Sequence, residues 1–238
     1  MNDARAKAGP FKRYALYAAP AADSPLGVFG NAWLGRDPAN QLPLAYPALP
    51  GYTAARIAAL TGQPAKYGFH ATLKPPFQLA GGMSVEQLSD ALTDMTGSLA
   101  PVAVGKLSVS AIGTFVALVP DAAPPDLAAL AATLVRDLDR FRAPPELGEL
   151  ARRRQAALTA RQESHLVQWG YPYVMEDFRF HFTLSGSLAR ADQEALSQAL
   201  QIYTKDKLPP YRIDDIALFG EPADGTGFHL LRRFPLKG

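Results

Sequence analysis

The sequence has 238 residues, about half of them apolar, with a formal net charge of +2 and no cysteine. That is enough chain to bury a sizeable core as one domain or two small lobes. It excludes disordered composition, charge-driven grip on duplex nucleic acid, and any disulfide, thiolate metal site or cysteine nucleophile.

Residues Met1–Pro10 lack the apolar stretch of a signal peptide. Nowhere do roughly 18 apolar residues run together, the length a membrane helix needs. The expectation is a cytoplasmic, monomeric protein with no membrane partner.

In chain order, Arg13–Ala18 reads as a strand stopped by Pro20. Residues 20–50, rich in Pro, Gly and Asn, read as a long surface connection with one helical turn near Trp33. Thr53 caps a short helix to Leu60. Tyr67–Lys74 alternates as a strand, ended by Pro75-Pro76, and a second short strand follows over Phe77–Ala80. Ser84 and Gln87 form a capping-box pattern at the start of the next helix. Val102–Ile112 and Thr114–Val119 read as two strands joined at Gly113. Pro124–Phe141 is a helix, and a second helical stretch, 145–168, carries Arg152, Arg153 and Arg154. After a turn-rich passage, Trp169–Tyr173, come a strand over Phe178–Leu184 and a helix over Ala191–Tyr203. Two closing strands, Tyr211–Phe219 and Gly227–Phe234, end the chain.

The second half repeats the first as strand, helix and strand pair. The expected fold is α+β and bilobal. Lobe one spans 13–120, a helical link 121–170 and lobe two 171–238, with antiparallel sheets facing a central groove.

At the same place in each repeat stand His70-Ala71-Thr72-Leu73 and His181-Phe182-Thr183-Leu184. Residues two apart on a strand share a face. Each histidine therefore shares its face with its threonine, and the apolar residues take the other side. A lone strand histidine is usually structural, but a matched pair with matched threonines asks for another account. Two imidazoles of ordinary pKa near 6.5 can supply one base and one acid at neutral pH. Threonine hydroxyls between them can hold the non-bridging oxygens of a phosphodiester. This chemistry needs no metal and no cofactor.

Strand parity adds Arg179 and Lys74 to the same faces as cations for phosphate. Tyr17 lines the groove or belongs to the core. Tyr173 stacks on a base or ribose, or packs locally. His165 and His229 have no partner motif, and the arginine run reads as a solvated helix face.

These residues resemble a known family. The paired His-x-Thr motif is similar to that of the two-histidine phosphoesterase superfamily, which includes 2′,5′-RNA ligase-like proteins and cyclic nucleotide phosphodiesterases. Three longer strings narrow the resemblance. They are Arg13-Tyr14-Ala15-Leu16-Tyr17-Ala18-Ala19-Pro20, Tyr67-Gly68-Phe69-His70-Ala71-Thr72-Leu73-Lys74-Pro75-Pro76-Phe77, and Trp169-Gly170-Tyr171-Pro172-Tyr173-Val174-Met175 with Phe178–Leu184. They are similar to a branch described as phosphonate-metabolism or phosphonate-operon proteins. The resemblance covers about Arg13 to Phe234. It implies the 2′,5′-RNA ligase-like fold, His70 and His181 as acid and base, Thr72 and Thr183 as phosphate ligands, and a ribosyl or nucleoside cyclic phosphate as substrate. An RNA-end ligase or phosphodiesterase shares this chemistry, and a groove that binds a nucleotide or phosphate without turnover is the alternative from another class.

Overall fold

The computed structural model describes residues 11–238; the reading of Met1–Pro10 lies outside them. The chain runs β1 (Phe11–Ala18), α1 (Pro25–Leu34), β2 (Arg36–Asp37), β3 (Leu42–Pro43), α2 (Ala54–Ala65), β4 (Ala71–Phe77), α3 (Val85–Thr96), β5 (Val102–Gly105), β6 (Leu107–Ile112) and β7 (Phe115–Pro120). It continues with α4 (Pro125–Asp137), α5 (Leu147–Arg154), α6 (Ala160–Trp169), β8 (Phe182–Thr183), α7 (Arg190–Thr204), β9 (Tyr211–Ile213), β10 (Asp215–Pro222) and β11 (His229–Pro235). No helix among the described residues is long and apolar enough to cross a membrane.

The class is mixed α+β with antiparallel sheets. Seven strands form one sheet in the order β11-β10-β1-β4-β8-β7-β6, not the expected pair of facing sheets. Its two sides follow from the alternation of β1. Tyr14, Leu16 and Ala18 point into the main core with α1, α2, α3, α4 and α7. Ala15, Tyr17 and Ala19 point to the other face, where they make a small second cluster with Ala217, Phe219 and Phe228.

Within the sheet the two repeats exchange their hairpins. After β4 the chain runs α3, β5 and the hairpin β6–β7, and after β8 it runs α7, β9 and the hairpin β10–β11. Each hairpin lies with the other motif. The first places β7 beside β8, while the second pairs β10 with β1, next to β4. The chain crosses where β5 and β9 pair, Val102 opposite Ile213. Sequence patterning shows the order of elements but not which strand accepts which edge.

Local signals were otherwise specific. Thr53, Ser84 and Thr159 cap their helices through side-chain oxygens, the last two in full capping boxes. The long connection is not all surface. Ser24 and Gly35 cap a ten-residue α1 whose Trp33 is fully buried. Its indole N–H donates to the Leu184 carbonyl at 2.7 Å, just past the second motif. The helical stretch at 145–168 is broken into α5 and α6. β4 passes through Pro75-Pro76 to Phe77, although the prolines read as its end. One edge of β4 pairs with β8 only at Ala71, so the prolines beyond it lie where a missing N–H is tolerated.

Trp33→Phe keeps most of the buried ring but leaves the Leu184 carbonyl unpaired. We expect a loss of about 1–3 kcal/mol, read as a lower urea midpoint at unchanged slope. A midpoint equal to that of the parent would show that this bond does not hold α1 to the motif.

Candidate active site

β4 and β8 meet in a single pair, Ala71 opposite Phe182. Both of these side chains are fully buried in the main core. In an antiparallel pair, that register sets His70 across from Thr183 and Thr72 across from His181. All four therefore share the opposite face, and all four line one cavity of about 460 Å³. Tyr17, which pairs with Thr72 on β1, lines it as well.

The two histidines are anchored alike. His70 Nδ1 donates to the carbonyl of Gly68 at 2.9 Å, and His181 Nδ1 donates to the carbonyl of Arg179 at 2.7 Å. A carbonyl only accepts, so Nδ1 carries the proton in both rings and Nε2 keeps its lone pair. Gly68 reaches its position with φ of +75°, a left-handed conformation that glycine takes without strain. His70 Nε2 also lies 3.2 Å from the Thr72 hydroxyl.

Their surroundings differ. Tyr17 stacks on His70 with ring centres 3.7 Å apart, and Tyr67 lies 6.2 Å away. Among the described residues only the Phe115 ring lies against His181, tilted at 5.6 Å. Burial pushes His70 down to about 4, opposed by the Gly68 carbonyl and aided by the nearby His181. Burial also lowers His181, opposed by the Arg179 carbonyl. In the free site both rings are thus neutral at neutral pH. An anionic substrate favours the protonated form of either ring.

The other expected site residues are placed differently. Lys74 does not line the cavity. Between Thr72 and Lys74 the register of β4 against β1 slips by one residue, so Lys74 turns to the core face. There it is 2 % exposed, donates to the Val135 carbonyl at 3.0 Å in the last turn of α4, and lies 3.9 Å from Asp139. Burial lowers its pKa to about 8. Arg179 has an exposed side chain, and what it gives His181 is its carbonyl. Its side chain and that of Tyr173 line a neighbouring hollow of about 600 Å³ that also reaches His181.

His165 is buried beside Glu176 and Asp177, and His229 pairs into β11; neither lines the cavity. Sequence reasoning missed Arg13, Tyr67, Arg153 and Tyr171, which do. Arg13 had a signal, because it shares the parity of Tyr17 on β1. Arg153 had a weaker one, being four residues after Glu149 on the same helix face.

Folded His70 at about 4 against an ordinary 6.5 has a stability consequence. Between those values the unfolded chain binds a proton that the native ring refuses. The stabilising contribution is complete above 6.5 and is lost as pH falls toward 4, with a limiting slope of about one proton. His70→Gln is expected to flatten unfolding free energy against pH over this window, and ring NMR should show His70 titrating near 4. A folded His70 that titrates near 6.5 would contradict the burial argument.

Residues 72–229 match the family described as protein of unknown function, DUF1045. Two curated relatives share the printed name ribose 1,5-bisphosphate phosphokinase PhnN. The protein of Janthinobacterium sp. (strain Marseille) is 36% identical over 231 residues, which is 95% of this chain and 51% of that one. The protein of Laribacter hongkongensis (strain HLHK9) is 36% identical over 224 residues, 92% of this chain and 51% of that one. The chain thus spans about half the length of the relatives it matches.

Proposed function

We propose that this chain, which belongs to the DUF1045 family, is a phosphodiesterase of the two-histidine phosphoesterase type that opens a small ribosyl cyclic phosphodiester. The observation that carries this reading is the duplicated anchoring of the histidines. Two Nδ1–H groups are tied to the carbonyl two residues before, with two Nε2 atoms and two threonine hydroxyls left on one cavity.

In this reading His70 is the base. Its ring is the more desolvated and stays neutral, so Nε2 takes a proton from water as the water oxygen bonds to phosphorus. The bond from phosphorus to the ring oxygen of the cyclic ester breaks on the opposite side. His181, less enclosed and protonated when an anion is bound, gives its Nε2 proton to that leaving oxygen. Thr72 and Thr183 donate to the non-bridging oxygens and hold phosphorus in line. The product is a phosphate monoester and a free hydroxyl. Exchange with solvent then returns the proton from His70 and restores the one on His181.

The ribosyl assignment rests on the relatives' printed name, which contains a ribose phosphate. The phosphokinase in that name is not assigned to this chain, because its sequence lacks the Gly-x-x-x-x-Gly-Lys-Ser/Thr loop through which many kinases hold nucleotide phosphates. We assign that activity to the half of the relatives that this chain does not match. The resemblance and the name together support a step in phosphonate metabolism.

The test is a panel of a ribose 1,2-cyclic phosphate, 2′,3′-cyclic nucleotides and a short 2′,5′-linked RNA, followed by phosphorus NMR with chelator present. The ribosyl compound is expected to turn over, and His70→Ala and His181→Ala are each expected to lower kcat by about 10²- to 10⁴-fold. Turnover confined to the RNA would move the assignment to RNA ends. Activity abolished by chelator but retained in both variants would place the chemistry elsewhere.

A further inference from the structure

The cavity runs along the strands, and its two ends differ. Toward Gly68 it is lined by Gln63 and the Ser185–Ser187 segment. Toward Pro76 it is lined by Arg13, Arg153 and Tyr171. Arg13 lies four residues before Tyr17 on the same face of β1, about 13 Å along the strand. Neither guanidinium is among the groups that bear on His70 or His181.

The two arginines are held in the same way. Glu221 takes Nε and Nη2 of Arg13, and Glu149 takes Nε and Nη2 of Arg153. Neither Nη1 is taken by a carboxylate or a carbonyl among the described residues, and the Tyr171 hydroxyl lies within reach of Arg153. Each guanidinium also rests on an aromatic face, Arg13 at 5.7 Å from the Phe228 centre and Arg153 at 4.5 Å from that of Tyr171. Such clamping fixes the direction of the free edge and removes the rotamer entropy a ligand would otherwise have to cost. A third group points the same way. Tyr17 is fully buried, yet its hydroxyl has no partner among the described residues. The charged and phenolic groups that bear on it are Tyr67, Arg13, Tyr171 and Glu221. A buried hydroxyl without an acceptor is costly, and a ligand oxygen brought between the arginines is an acceptor.

We propose that this end of the cavity is a second anion subsite, in which Arg13 and Arg153 bind a phosphate monoester carried on the same molecule as the phosphodiester between the histidines. A phosphate suits the geometry better than a carboxylate, because its three terminal oxygens can meet two guanidinium edges and a phenol at once. The substrate class is thus a sugar with a cyclic phosphodiester at one end and a monoester at the other. This inference rests on the two-histidine reading for the first phosphate but not for the second.

The experiment compares ribose 1,2-cyclic phosphate with the same compound phosphorylated on its C5 hydroxyl, and measures binding of ribose 5-phosphate by calorimetry. The parent protein is expected to favour the doubly phosphorylated compound in kcat/KM by about tenfold to a hundredfold, the size of one or two charge-assisted hydrogen bonds. That ratio should collapse in Arg153→Ala and in Arg13→Ala; Arg153 is on the surface helix α5, where truncation leaves the core intact. Ribose 5-phosphate should bind both arginine variants more weakly than the parent. If that pattern holds while no cyclic compound turns over, the subsite stands and the phosphodiesterase reading falls. Equal turnover of the two cyclic compounds, or ribose 5-phosphate binding that is absent from the parent or unchanged by both arginine substitutions, overturns the proposal.

Discussion

Everything at the candidate site depends on one backbone pairing, Ala71 opposite Phe182. It joins the two halves of the sheet through strands that touch at a single register pair. Because strand faces alternate, burying Ala71 and Phe182 on one side forces His70, Thr72, His181 and Thr183 onto the other. The core side of this row is strongly specified. Ala18, Ala71, Phe182 and Leu118 lie side by side across four strands and are all fully buried. A slip of one residue would push a phenylalanine into the cavity and two polar motif residues into the core. The same apolar packing that stabilises the sheet thus fixes the position of the two His-x-Thr motifs.

The shortness of that pairing matters as much as its register. β8 is two residues long, and β4 diverges from it beyond Ala71. The sheet remains continuous, and the cavity lies on its non-core face with the histidines beside this pairing. Each imidazole is then oriented by a carbonyl of its own chain, two residues before it, and needs no distant partner. Orientation is therefore local, whereas protonation is set by what lies around each ring. Tyr17 beneath His70 keeps water from one ring, and the more open flank of His181 leaves the other freer to take a proton.

Much of this was legible in the sequence, and what was not has definite physical causes. The face shared by His70 and Thr72 followed from strand parity and is observed. The same argument carried two residues further failed for Lys74, because a register slip against β1 reverses the face, and such a slip has no signature in the residues of one strand. Helix caps at Thr53 and Ser84 are local and were readable, whereas the cap at Thr159 lies inside a stretch read as one helix. The exchange of the hairpins is a matter of which edges meet, and edge choice is made by the whole sheet. The arginine run shows the limit most clearly. Successive helix residues turn by about 100°, so three adjacent arginines point three ways, and only Arg153 faces the cavity. Arg154 pairs with Glu163 and Arg152 is exposed.

The weak net charge fits this arrangement. A protein that captured its ligand by a broad field would carry unpaired cations around the groove. Here Arg13 and Arg153 each face the cavity with a carboxylate at their back, so the local charge nearly cancels. What remains is direction: two guanidinium edges, two threonine hydroxyls and two imidazole nitrogens aimed at one space. Paired arginines lose long-range attraction but are fixed before any ligand arrives, and inside a half-enclosed cavity a fixed donor counts for more than the same donor in water. Selectivity then comes from where the anionic groups of a ligand sit relative to one another rather than from how many it carries. On that argument a long polyanion has little advantage over a small molecule whose charges match the spacing.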